Sequence, residues 1–92
     1  MRSIKEPFTP QIDFDRKDIF EVGCGYGKFT QEHFLNAKSV FGIDTNREAV
    51  ESLQKNWPIS QEETASLFQV GNIVDIDLQG KQFDFVVFSN SF

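Results

Sequence analysis

The chain has 92 residues, of which 39% are hydrophobic and 11 are phenylalanine, and its formal net charge is −5 at pH 7. That length holds one domain at most, and no stretch approaches the roughly 18 consecutive apolar residues that a membrane span needs. The nine Lys and Arg residues are scattered, which argues against nucleic acid or an anionic membrane as a partner, because both require clustered basic side chains. We therefore expect a small-molecule partner.

The N-terminus and the cysteine content indicate a compartment. The opening sequence, MRSIKEPFTPQ, lacks the apolar segment of a signal peptide. Cys24 is the single cysteine, so no internal disulfide can form. Both features suit a reducing environment, and we predict a cytoplasmic protein.

The first part of the chain shows no regular pattern. Residues 1–16 contain two prolines and no helical period. We predict an irregular N-terminal arm there, anchored by Phe8, Ile12 and Phe14. The domain itself is predicted to occupy residues 17–92.

The rest of the chain alternates between two kinds of apolar pattern. Short apolar runs predict four strands, over 18–22, 39–44, 67–70 and 83–88. Apolar residues at helical spacing predict helices over 28–36 and 47–56. The stretch 59–66 fits either a polar loop or one helical turn. Strands that alternate with helices over short connections imply right-handed βαβ units, and therefore an α/β fold with a parallel sheet.

The number of predicted strands has a consequence for the edges of the sheet. Open α/β sheets that bind nucleotides usually have more than four strands. The predicted strand 83–88 is the most apolar, and an apolar strand at an edge would be a pairing hazard. Either a second copy of the chain covers that edge, as a homodimer, or further residues do.

The first predicted strand leads into glycines at alternate positions, Gly23, Gly25 and Gly27, in IFEVGCGYGK. Glycine can adopt positive φ and lets a ligand approach the backbone closely, and the helix that follows offers free N–H groups. Dinucleotide-binding turns use G-x-G-x-x-G. When Gly23 is taken as the first glycine of that motif, Lys28 stands where its third glycine should be, and when Gly25 is taken as the first, Thr30 stands there. The spacing therefore favours a ligand without pyrophosphate, and a tight turn with no ligand is the alternative.

An acidic residue, Asp44, ends the second predicted strand, 21 residues after Gly23. In doubly wound folds an acid at that place binds the ribose hydroxyls, because two carboxylate oxygens match a vicinal diol. The alternative is that Asp44 caps the helix beginning near Arg47. The glycines upstream favour the ribose interpretation.

These motifs resemble those of the class I S-adenosylmethionine-dependent methyltransferases. FEVGCGYGKFT matches their acid-x-G-x-G-x-G motif, and VFGIDTNREAV contains the acid that closes their second strand. QVGNIVDID and FDFVVFSNSF resemble the ends of their third and fourth strands, so the resemblance runs from about residue 17 to residue 92. By resemblance, the cofactor-binding residues are Glu21, Gly23, Cys24, Gly25, Gly27, Asp44, Thr45, Asn72, Ile73, Ser89 and Asn90.

The resemblance implies a three-layer, Rossmann-like parallel sheet, truncated to about four strands in the order 3-2-1-4, with flanking helices. It also implies an enzyme that transfers a methyl group from S-adenosyl-L-methionine to a small-molecule acceptor. The family's acceptor pocket and any catalytic base usually follow the fourth strand. We therefore expect 17–92 to be a partial, donor-binding domain, a fragment of a longer methyltransferase, with no catalytic residue assigned and no metal site.

Two alternatives remain open. The chain could be a non-catalytic, truncated module that binds an adenosyl ligand or self-associates through its open sheet edge. It could also be a different nucleotide-binding enzyme, such as an NAD-dependent one. Cys24 at a helix N-terminus could have a lowered pKa, but we expect it to be a small side chain in a crowded turn, and His33 to be surface or core filler.

Overall fold

The computed structural model describes residues 2–5, 13–57, 66–78 and 80–89. In these ranges five strands are formed: β1 (Arg2–Lys5), β2 (Asp18–Val22), β3 (Ser39–Asp44), β4 (Leu67–Val70) and β5 (Phe85–Phe88). The two helices in the same ranges are α1 (Lys28–His33) and α2 (Arg47–Asn56). Neither is long and apolar enough to cross a membrane.

The strands form one parallel sheet in the order β1-β5-β2-β3-β4. For the four strands that the sequence predicts, this is the order 3-2-1-4, so the predicted Rossmann-like topology is confirmed. β2 lies at the centre, between β3 and β5. Its burial pattern, with Ile19, Phe20 and Glu21 all buried, is that of a strand covered on both faces.

The prediction of an irregular arm is wrong for Arg2–Lys5. This segment pairs in parallel with β5, so that Arg2 lies beside Phe85 and Lys5 beside Phe88. β5 is the apolar strand that the sequence predicts at an open edge, and β1 covers that side of it. The physical reason is that unpaired backbone groups on an apolar strand favour an added neighbour.

Phe14 confirms part of the predicted anchor of the N-terminal segment. Its side chain is buried and meets the rings of Phe34 and Phe85 edge-on, with ring centroids 4.9 and 5.3 Å away. Phe8 and Ile12 lie outside the described residues, as does most of 59–66. Edge-to-face rings at this separation stabilise a core beyond their buried area.

Two predicted elements are shorter in the structure. α1 ends at His33 instead of 36, because the backbone of Phe34 leaves the helical region at φ −117 and its ring turns into the core. β5 begins at Phe85 instead of 83, because Phe83 stacks on Phe20 at 5.3 Å, and Asp84 accepts a hydrogen bond from the backbone N–H of Asp18. α2 has its predicted bounds.

Layers cover both faces of the sheet. Both described helices pack on one face, where the buried side chains are Phe14, Ile19, Cys24, Phe34, Ala37, Val40, Val50, Leu53, Phe68, Phe85 and Val87. On the other face Phe20, Phe41, Ile43, Phe83 and Val86 are buried, and the connection from β4 to β5 packs Ile76 and Leu78 against them. The third layer is therefore formed by this connection. The last residues of β2, β3, β4 and β5 remain partly exposed.

Candidate functional site

The candidate site lies at the carboxyl edge of the sheet, where β2, β3 and β5 end together. A loop of residues 23–27 joins β2 to α1, and its glycines Gly23, Gly25 and Gly27 have φ values of 86, 53 and 89. All three lie in the left-handed region that L side chains disfavour. Beside the loop is a cavity of about 420 Å³, whose walls are the loop, α1 and the end of β5. In open α/β sheets this is the edge at which ligands bind.

The third glycine, Gly27, is needed for packing between the helices. A Cβ atom on Gly27 would lie 2.3 Å from Cδ1 of Leu53 in α2. Gly27 is buried and does not line the cavity, whereas Gly23 and Gly25 do. The first two glycines therefore line the cavity, and the third allows close contact with α2.

Glu21 connects the elements around the loop through hydrogen bonds. Its side chain is fully buried, and one carboxylate oxygen accepts a hydrogen bond of 2.5 Å from the hydroxyl of Thr30 in α1. The other oxygen accepts from the hydroxyl of Ser89, which also lies 3.2 Å from the carbonyl oxygen of Gly23. One carboxylate therefore ties together the ends of β2 and β5 and the first helix. The sequence analysis does not predict this contact between Glu21 and Thr30. The only sign of it in the sequence is that a residue with a hydroxyl group lies three positions after the last glycine.

Asp44 joins the glycine loop to the end of β3. Its Oδ2 accepts a hydrogen bond of 2.9 Å from the backbone N–H of Gly25, and its Oδ1 accepts one of 2.9 Å from Asn46. The helix cap of α2 is Asn46, whose side chain accepts from the N–H of Ala49 at 3.1 Å. The alternative that Asp44 caps the helix is therefore wrong. Each carboxylate oxygen keeps a further lone pair, which a ligand hydroxyl can use.

The end of β4 extends the site beyond Asp44. The backbone N–H of Gly71 donates to the carbonyl of Asp44 at 3.0 Å, and Asn72 begins the tight turn that follows. The Asn72 side chain accepts from the N–H of Val74 at 3.0 Å, and Ile73 is 42% exposed. These predicted site residues therefore lie beside Asp44 at one edge. Thr45 is exposed next to Asp44, and Asn90 lies outside the described residues.

Cys24 is buried between the glycines and lines the cavity. Burial raises the pKa of its thiol well above the ordinary value, and the nearby carboxylates of Glu21 and Asp44 raise it further. The thiol is therefore protonated at neutral pH, which makes it a poor nucleophile. This geometry supports the expectation of a small side chain in a crowded turn. His33 is exposed on α1, 3.7 Å from the carboxylate of Glu32.

The family comparison gives a match over most of the chain. A family model described as "methyltransferase domain" matches residues 20–92. This range begins in β2 and includes the glycine loop, Asp44 and the end of β5. A comparison with curated protein sequences finds no match.

Solved structures share the same fold. Phosphoethanolamine N-methyltransferase 1 of Haemonchus contortus, in complex with phosphoethanolamine and S-adenosylhomocysteine, gives a TM-score of 0.68 at 23% identity, over 84% of this chain and 16% of that one. A TehB-like S-adenosylmethionine-dependent methyltransferase of Corynebacterium glutamicum gives 0.59 at 18% identity, over 80% and 37%. An S-adenosylmethionine-dependent methyltransferase of Methanosarcina mazei gives 0.59 at 26% identity, over 86% and 41%. The chain thus spans less than half the length of each.

Proposed function

The chain belongs to the methyltransferase domain family, and on that premise we propose that it binds S-adenosylmethionine at the carboxyl edge of its sheet. It is the donor-binding half of an enzyme that methylates a small-molecule acceptor. The structural neighbour from Haemonchus contortus holds S-adenosylhomocysteine, the product left by this donor. The net charge of −5 favours a small acceptor over nucleic acid.

The observation that carries the proposal is the bond between Asp44 and the glycine loop. Because Oδ2 of Asp44 accepts from the N–H of Gly25, a diol bound to this carboxylate lies directly beside Gly23 and Gly25, which line the cavity. A ribose on Asp44 thereby directs its 5′ substituent over the loop. An adenine on the same ribose lies toward Asn72 and Ile73, at the end of the neighbouring strand.

The residues present fit a donor that lacks phosphate. A pyrophosphate turn needs a small residue where this chain has Lys28. The carboxylates of Glu21, which is buried, and of Asp44, which is partly buried, flank the loop. Negative charge there suits the cationic sulfonium of S-adenosylmethionine. When bound, the donor supplies the activated methyl group. What the described residues contribute is positioning, which accounts for much of the catalysis in a reaction of this kind.

The first test is a calorimetric titration of the chain with S-adenosylhomocysteine and with NAD. We expect S-adenosylhomocysteine to bind more tightly by at least tenfold, because the loop accommodates the homocysteine end and offers no pyrophosphate site. Adenosine alone is the control, since it uses the Asp44 contacts without the loop. Tighter binding of NAD would refute the proposal and favour a dinucleotide enzyme.

A further inference from the structure

The cavity beside the glycine loop has one charged wall. Among the residues that line it, Lys28 and Glu32 carry charge, and both lie on α1. Residues four apart on a helix lie on the same face, one turn from each other. The wall therefore presents an ammonium group and a carboxylate at neighbouring points above the loop.

Lys28 is a cationic side chain in a region where the neighbouring charges are carboxylates. Of the described residues lining the cavity it is the single cationic one. Among the described residues, the carboxylates of Glu21, Asp44 and Glu32 also lie near the loop. An anionic group that enters this cavity is repelled by these three carboxylates, so Lys28 is the side chain able to offset that repulsion.

From this geometry we propose that Lys28 and Glu32 recognise the α-amino acid end of the donor as a zwitterion. Lys28 binds the α-carboxylate, and Glu32 binds the α-ammonium. The proposal rests on the proposed function, since the adenosyl end is held at Asp44 on the other side of Gly25. It adds a determinant of specificity: ligands with the same nucleoside but no zwitterion lose these two contacts.

The contact of Glu32 with His33 is compatible with this role. Nε2 of His33 lies 3.7 Å from Oε2 of Glu32, and both side chains are exposed, His33 to 37% and Glu32 to 55%. Exposed pairs of this kind contribute little to stability. Glu32 can therefore exchange this contact for the ammonium of a ligand at little cost.

The test compares S-adenosylhomocysteine with 5′-methylthioadenosine, which has the same nucleoside and thioether without the amino acid. In Lys28→Met we expect about a tenfold loss of affinity for S-adenosylhomocysteine, as for one partly exposed charged hydrogen bond, and unchanged affinity for 5′-methylthioadenosine. Glu32→Gln should show the same selectivity with a smaller loss. The loss should shrink as salt is raised. Lys55→Met, an exposed lysine of α2 outside the cavity, is the matched control and should change neither affinity.

The other outcomes separate this proposal from the proposed function. If both ligands bind the wild type and Lys28→Met changes neither affinity, the zwitterion site is refuted while the donor site stands. An equal loss for both ligands would show that Lys28 acts through the fold, which also refutes it. If neither ligand binds the wild type, the proposed function fails and this proposal fails with it.

Discussion

Gly27→Ala is expected to destabilise the chain more than any other single substitution in the loop. The new methyl group would lie 2.3 Å from Cδ1 of Leu53, and the residue would keep a φ of +89. Overpacking a tight core contact costs about 1–3 kcal/mol, and holding an L residue in the left-handed region costs about 1–2 kcal/mol more. The sum, roughly 2–5 kcal/mol, is a large part of the 5–15 kcal/mol that stabilises a typical domain.

Urea denaturation measured by circular dichroism is the appropriate check, with Gly80→Ala as the matched control. Gly80 also has a positive φ, +77, but an added Cβ would meet nothing within 4 Å. The control therefore carries the backbone strain without the clash. Adding Leu53→Ala to each glycine variant isolates the contact as a coupling free energy. Equal destabilisation by Gly27→Ala and Gly80→Ala would contradict the packing role given to the third glycine.

Asp44→Ala is expected to give the largest loss of donor affinity. It removes a carboxylate that accepts from the backbone of Gly25 and Asn46 and that we assign to the ribose hydroxyls. Losing charged hydrogen bonds to a ligand costs about 1.5–3 kcal/mol, or a loss of roughly ten- to more than a hundredfold in the affinity for S-adenosylhomocysteine. The measurement is a calorimetric titration of variant and wild type.

Two controls make the Asp44 result interpretable. Asp44→Asn keeps the size and one acceptor oxygen, so we expect an intermediate loss. Asp15→Ala removes an exposed carboxylate remote in sequence from the site and should leave the affinity unchanged. If Asp44→Ala binds as tightly as the wild type, its carboxylate serves only to anchor the loop, and the ribose assignment is wrong.

Most of the fold follows from local patterns. The bounds of α2 and of β2, β3 and β4 are predictable because apolar periodicity and the residues that end each run agree. β1 is not predictable in this way, since its four residues, RSIK, include one apolar side chain. Its pairing depends on β5, more than 80 residues away, and sequence patterns carry no such long-range information.

The site was predictable in outline and less so in its internal contacts. The glycines and Asp44 can be recognised in the sequence from their residue types and spacing, and in the structure they lie together. The contact of Ser89 with Glu21 spans 68 positions, so it follows only from the sheet order that brings β5 beside β2. The role of Gly27 depends likewise on Leu53, a residue of the second helix. Contacts between residues of different secondary-structure elements could therefore not be predicted from the sequence alone.

We propose that the donor occupies the corner formed by the glycine loop and Asp44. The most direct measurement is an amide ¹H–¹⁵N NMR titration of the wild-type chain with S-adenosylhomocysteine. We predict the largest shifts at the N–H groups of Gly23 and Gly25, with a smaller shift at Gly71 and none at Gly80. Saturating binding that leaves the loop amides unmoved and shifts others instead would contradict the account.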